Sequence, residues 1–244
     1  MPQLSIIIPT LNEEACLKQT LKLLQKLEPP PQEIIIADGG STDRTKEIAA
    51  RFQVKLIEVS KKSRAMQMNA GAEAATSEYL CFLHADTRVP SDLVHIVQKT
   101  LSDSKTSLAG FVSIMGQEGK THYFTTYLNY VKTFFGPLIY SPYQCIFKGL
   151  RLLFGDQAMF CRKADFLKAG GFDAALSIME EADLCKKMNT LGKIRQIHRC
   201  VYTSDRRIAH WGFWKAHFVY LSIFFFWMLH VPNHQLKRFY KEVR

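Results

Sequence analysis

LSIIIPTLNEE, residues 4–14, is an unbroken β-branched run that closes on Pro, Thr, Asn and two acids, and EIIIADGGSTDRT, residues 33–45, repeats the form, closing on Asp-Gly-Gly-Ser-Thr. An apolar run without polar alternation is the signature of a strand covered on both faces. Between the two, Leu17, Leu21 and Leu24 fall on one face of a helix and Lys18, Lys22 and Gln25 on the other, and Pro29 to Pro31 must end it. Strand, amphipathic helix, strand is the unit of a parallel sheet. The rhythm continues through VKLIEV (54–59), YLCFLH (79–84) and SLAGFVSIM (107–115), with helices expected over 42–52, 63–75 and 92–101. The fold class is therefore α/β, a Rossmann-like, mostly parallel sheet flanked by helices.

Residues 116–150 break the rhythm, mixing Gly, aromatic and basic residues without a clean period, and read as an insertion. Order resumes with a strand near LLFGDQAMFC (152–161), a turn at Gly170-Gly171-Phe172, a helix from 181 to 191 stopped by Gly192, and a strand near IRQIHRCVY (194–202). Residues 211–231 are apolar around most of a helix, and the tail HQLKRFYKEVR (234–244) is basic. Such a helix is either buried or seated in lipid. We read it as packed on the domain, with docking on a membrane surface as the alternative.

At 244 residues, 47% hydrophobic and 22% charged, disordered, collagenous and disulfide-stapled classes are excluded. The net charge of +10 biases the surface toward phosphates, nucleic acid or anionic lipid. Nucleic acid is not expected, because the basic residues are dispersed and no recognition motif accompanies them. Cys16, Cys81, Cys145, Cys161, Cys185 and Cys200 show no paired spacing, so reduced thiols in a cytoplasmic protein are expected. No basic stretch precedes the first apolar run, so export is not expected. The apolar stretch Phe218 to Leu229 falls short of the ~20 residues that a spanning helix needs.

In an open parallel sheet, ligands bind beyond the carboxyl ends of the strands. The residues there are Pro9-Thr10-Leu11-Asn12-Glu13-Glu14, Asp38-Gly39-Gly40-Ser41-Thr42-Asp43 and His84-Ala85-Asp86-Thr87-Arg88. Each set is also ordinary turn chemistry, but three polar sets at three strand ends argue for a site. Ser63 can cap the helix that follows it, and Arg64 stands at that helix terminus, where an anion such as a diphosphate is favoured. The alternative is that Lys61, Lys62 and Arg64 form a solvated basic face.

IIIPTLNEE, IIIADGGSTDRT, RAMQMNAG, FLHADTR, GGFD and EEADLCKKM, in this order, resemble the family 2 glycosyltransferases with the GT-A fold. The resemblance implies a nucleotide-binding half at 1–115, an acceptor and catalytic half at 116–205, and a C-terminal helical segment at 206–244. It places Asp38 on the imide of a uridine-type base, with Gly39 and Gly40 admitting close approach, and Pro9, Thr10, Asn12, Glu14, Arg64 and Asn69 around the nucleotide. Asp86 is implied as the ligand of Mg2+ or Mn2+, although this chain has His84-Ala85-Asp86 where the family has Asp-x-Asp. His84 shapes the turn, touches substrate or is a core histidine. Glu181 is implied as the general base, its pKa raised by a like-charged neighbour. Asp156, Gln157 and Glu180 are implied at the donor sugar and acceptor. Arg206-Arg207 would clamp the diphosphate or be bystanders.

The expected activity is inverting transfer of a sugar from a nucleoside diphosphate sugar to an acceptor hydroxyl. The competing expectations are a polyprenyl-phosphate glycosyltransferase at the membrane and a nucleotide-binding scaffold without chemistry.

Overall fold

The computed structural model describes residues 3–60, 63–117, 120–229, 231 and 233–236. Lys61, Lys62 and most of the basic tail lie outside the described residues.

The chain runs β1 (Leu4–Thr10), α1 (Glu14–Leu24), β2 (Glu33–Asp38), α2 (Thr45–Arg51), β3 (Lys55–Glu58), α3 (Arg64–Ala74), β4 (Tyr79–Phe82), β5 (Thr87–Arg88), α4 (Leu93–Leu101), β6 (Thr106–Gln117) and β7 (Lys120–Thr121). It continues through α5 (Tyr123–Tyr140), α6 (Pro142–Phe147), a 3-10 turn (Gly155–Gln157), β8 (Met159–Arg162), α7 (Lys163–Lys168), α8 (Glu180–Asn189) and β9 (Lys193–Thr203). It closes with α9 (Arg206–Trp211), α10 (Phe213–Met228) and α11 (Asn233–Leu236).

The strands lie in the order β3-β2-β1-β4-β8-β6-β9-β5, with β7 paired to β6. β1 pairs in parallel with both β2 and β4, so the chain leaves β1 in one direction and returns to its other side, which opens a crevice at the β1 and β4 ends. Ile6 and Ile8 of β1 enter one core layer, shared with Leu17 and Leu21 of α1. Ile7 enters the opposite layer, with Ala65 and Met68 of α3. Successive side chains alternate faces, so both faces of β1 being apolar means that helices cover the sheet on both sides. The close fit of α3 on β1 depends on Gly71, where a Cβ would strike Ile7 Cγ2.

Three expectations are corrected. β6 does not extend the parallel repeat: β8 inserts between it and β4, antiparallel to both. The strand expected over 152–161 is confined to Met159–Arg162, because Gly155–Gln157 form a 3-10 turn. Residues 116–150 hold an 18-residue helix, α5, followed by α6. Its helical period was hidden because the pattern is reversed: the buried face carries Thr125, Asn129, Thr133 and Gly136, while Tyr123, Tyr127 and Ile139 are exposed. Pro137 inside α5 cannot bond the carbonyl of Thr133, and the backbone N–H of Leu152 donates to that carbonyl at 3.2 Å.

Candidate active site

A cleft of about 310 Å³ lies at the β1 and β4 ends. Pro9, Thr10, His84, Ala85 and Asp86 form its floor, and Ser63 and Arg64 of the α3 start form one side. Ser63 caps α3 by accepting from the Met66 N–H at 3.5 Å. The opposite side comes from Asp156 and from Glu180 and Glu181 at the start of α8, and α5 and α10 contribute Asn129, Lys132, Tyr220 and Ile223. The cleft thus brings together Pro9, Thr10, Arg64, Asp86, Asp156, Glu180 and Glu181, which are distant in the sequence.

Five other candidates do not line this cleft and bond within the protein. Asp38 is wholly buried. One of its oxygens accepts from Thr10 Oγ1 at 3.0 Å and from Ser41 Oγ, the other from the N–H groups of Gly40 and Ser41 at 3.0 and 2.8 Å. A carboxylate has about four acceptor positions, and the loop occupies all four of them here. Asn12 Oδ1 accepts from the Thr42 N–H at 2.8 Å and Glu14 Oε2 from the Arg44 N–H at 3.1 Å, so both tie the β1 loop to the β2 loop. Asn69 exchanges two hydrogen bonds with the Phe172 backbone, at 2.7 and 2.9 Å, and fixes the Gly171-Phe172 turn. Gln157 is buried and donates to Thr133 Oγ1 at 3.0 Å, which joins the 3-10 turn to α5.

Gly39 lies against a side chain of α3. A Cβ there would press within 3.2 Å of the Gln67 amide. Gln67 Nε2 donates to the carbonyls of Thr10 at 2.6 Å and Ala37 at 2.8 Å, bridging the ends of β1 and β2 beneath the cleft. It was not singled out in the sequence, where it reads as an ordinary helix residue.

The acids at the α8 start divide by direction. Asp183 pairs along the helix with Lys187 at 2.8 Å. Glu180 and Glu181 are buried in the cleft wall, with Arg64 Nη1 4.0 Å from Glu180 Oε1 and 3.8 Å from Glu181 Oε1. Burial, and after it the Glu180 carboxylate, raises the Glu181 pKa from 4.5 to about 8, while Arg64 opposes the shift. A Cβ at Gly155 would strike His84 Nε2 and come within 2.6 Å of Glu181 Oε1. The imidazole and the carboxylate therefore flank one methyl-sized space that only glycine leaves open. Burial lowers the Lys132 ammonium to about 8, against the pull of Asp156.

Arg206 is the residue that sequence reasoning undervalued. Its Nη2 lies 2.8 Å from Asp86 Oδ2 and 3.0 Å from Glu13 Oε2, so residue 206 reaches back to both the β1 and β4 loops. Although burial works against its charge, Asp86 and Glu13 hold the guanidinium above its ordinary range. In the sequence Arg206 is one of two adjacent arginines, and its pairing with Asp86 appears only after folding.

The residues suit a divalent cation in a restricted way. Among the described residues no three His, Cys, Asp or Glu side chains cluster to hold one. Asp86 and Glu13 are hard oxygen donors close enough to share one guanidinium nitrogen, a donor set that fits a Mg2+- or Mn2+-type ion taking most of its ligands from phosphate and water.

An α/β sheet with polar residues gathered at its switch point is the arrangement in which open sheets bind ligands. The model of glycosyl transferase family 2 matches residues 5–166, and the chain belongs to that family. The poly-beta-1,6-N-acetyl-D-glucosamine synthase of Staphylococcus epidermidis is 33% identical over 94 residues, covering 36% of this chain and 23% of that protein. The GalNAc(5)-diNAcBac-PP-undecaprenol beta-1,3-glucosyltransferase of Campylobacter jejuni is 27% identical over 117 residues, covering 45% and 38%. The chain thus spans well under half the length of either relative. The mannosyltransferase PcManGT of Pyrobaculum calidifontis, solved with GDP-Man and Mn2+, superposes with a TM-score of 0.72 at 16% identity, covering 95% of this chain and 65% of that one. The shared fold is GT-A.

Proposed function

We propose that the chain is an inverting glycosyltransferase that moves a sugar from a nucleoside diphosphate sugar, with a lean to UDP, onto an acceptor hydroxyl. The observation that carries this reading is the placement of Glu181, Arg64 and Asp86 in one cleft at the switch point of the sheet. Family membership and the nucleotide-sugar complex of the Pyrobaculum structure support the donor class.

Glu181 is the proposed base. It is buried in the cleft wall, and a pKa near 8 gives it the basicity to take a hydroxyl proton near neutral pH. Arg64 and the α3 start face the diphosphate, and Arg206 is placed to swing from Asp86 onto it. Mg2+ or Mn2+ is the proposed cofactor, held by Asp86 with Glu13 beside it; when bound it would neutralise charge on the departing diphosphate. Lys132 and Asp156 offer a donor and an acceptor to sugar hydroxyls. Thr10, Pro9 and Gln67 shape the floor under the nucleotide. A cytoplasmic setting is part of the reading and is supported by the unpaired spacing of the cysteines.

A lipid-borne acceptor is the second reading, supported by α5 and α10, which wall the cleft and carry apolar outer faces. The test is a thermal-shift panel of nucleoside diphosphates with and without Mn2+, followed by hydrolysis assays of the matching sugar donors. Selective stabilisation by one diphosphate with slow donor hydrolysis is expected. Stabilisation without turnover of any donor would favour the scaffold.

A further inference from the structure

α10 and its C-cap residue Leu229 carry Trp214, Phe218, Leu221, Phe225 and Leu229 at 80, 73, 44, 53 and 59% exposure. Their spacing of four, three, four and four places them on one stripe of the helix. A helix that faces water carries polar residues on such a stripe. α5 is reversed in the same sense, with a polar buried face and Tyr123, Tyr127 and Ile139 outward, and α6 adds Tyr143, Ile146 and Phe147. The faces are contiguous because α5 and α10 run side by side in the same direction. Phe124 meets Phe213 at 5.5 Å, Gly136 lies against Phe224, and Tyr140 stacks on Trp227 at 5.2 Å. An apolar patch of this kind marks an interaction surface.

The charge around it selects the partner. Residues 119–155 and 206–241 contain no Asp or Glu. Lys148 and Lys215 are exposed on these elements, with the Lys148 ammonium 5.8 Å from the Tyr143 ring. A second copy of a chain of net charge +10 would oppose like charges across the contact. A surface of anionic phosphates would not. No described helix is long and apolar enough to cross a membrane, so the helices would lie on the surface.

We propose that α5, α6 and α10 form a docking face for a bilayer bearing anionic headgroups. The aromatic side chains enter the headgroup boundary, and Lys148 and Lys215 face the phosphates. The inner faces of the same two long helices wall the cleft, so docking sets the cleft at the lipid surface. The proposal does not rest on the glycosyltransferase reading, because docking is measured without donor or acceptor.

The test is co-sedimentation of the full chain with vesicles of phosphatidylcholine alone or mixed with phosphatidylglycerol. Binding to the mixed vesicles, with tryptophan emission moving to shorter wavelength, is the expected result. The double variant Phe218→Glu/Phe225→Glu should lower partitioning by about tenfold or more, with circular dichroism and Tm unchanged because both side chains are exposed. The double variant Lys148→Glu/Lys215→Glu should lose the preference for mixed vesicles. A wild-type chain left in the supernatant with both vesicles overturns the proposal, as does unaltered binding of the phenylalanine variant. So does a dimer in sedimentation velocity that this variant dissolves while vesicles are ignored, since a second copy would then be the occupant.

Discussion

The loops after β1 and β2 and the wall built from α5, α8 and α9 differ in how they spend their polar groups. The loops are the more polar in sequence, yet Asp38, Asn12 and Glu14 all bond within them. The wall takes its apolar character from α5, and Glu180, Glu181, Lys132 and Arg206 line the cleft from it. Polar density at a strand end thus measures first how much backbone the loop must satisfy. A polar group that an apolar wall leaves pointing inward is the stronger sign of chemistry, because burying it without a task is costly.

The largest break in this contrast should come from Glu181→Gln. Turnover is expected to fall by about 10²- to 10⁴-fold with donor affinity within a few-fold, measured by steady-state rates and calorimetric binding. Full activity would remove Glu181 from the wall's chemistry. The same residue predicts a pH signature. Its folded pKa of about 8 lies above the ordinary 4.5, so the folded state holds the extra proton between those values. Stability should fall as pH rises through that window, while kcat rises toward a midpoint near 8 as the carboxylate forms. Both trends should flatten in Glu181→Gln.

Next in size, Arg206→Ala should weaken donor use by about 10- to 100-fold, as expected for a lost hydrogen bond to charge. The value of kcat/KM reads it, and unchanged kinetics would return Arg206 to a bystander. Asp38→Ala tests the other region. It should cost about 3 kcal/mol of stability, seen as a lower Tm, because four donors lose their acceptor. A selective loss of nucleoside binding at unchanged Tm would reverse the assignment of the loops. The smallest effect is expected from Gly155→Ala, where one methyl must displace His84 or Glu181 at a cost of about 1–3 kcal/mol. A fall in kcat at near-constant KM would tie that cost to the reacting geometry.

Much of the sheet was legible. β1, β2 and β4 lie within their apolar runs to a residue or two, because strands covered on both faces leave an unbroken signal. α5 was not legible, since its aromatic residues point outward and Thr125, Asn129 and Thr133 inward, which inverts the pattern a sequence reader seeks. Among site residues, Arg64, Asp86, Asp156 and Glu181 were named before folding and share the cleft. Gln67 and Arg206 were undervalued, because one looks like any helix glutamine and the other like any surface arginine.

The order of runs and turns by itself determined the α/β class and the acids that follow the Gly170-Gly171-Phe172 turn, since these depend on local period and chain connectivity. Only the tertiary structure decided which carboxylates keep an oxygen for the cleft, that Arg206 reaches Asp86 and Glu13, and that the apolar side of α10 faces outward. Hydrogen-bond acceptors and burial are shared among residues far apart in the chain, and their allocation is set when the elements pack.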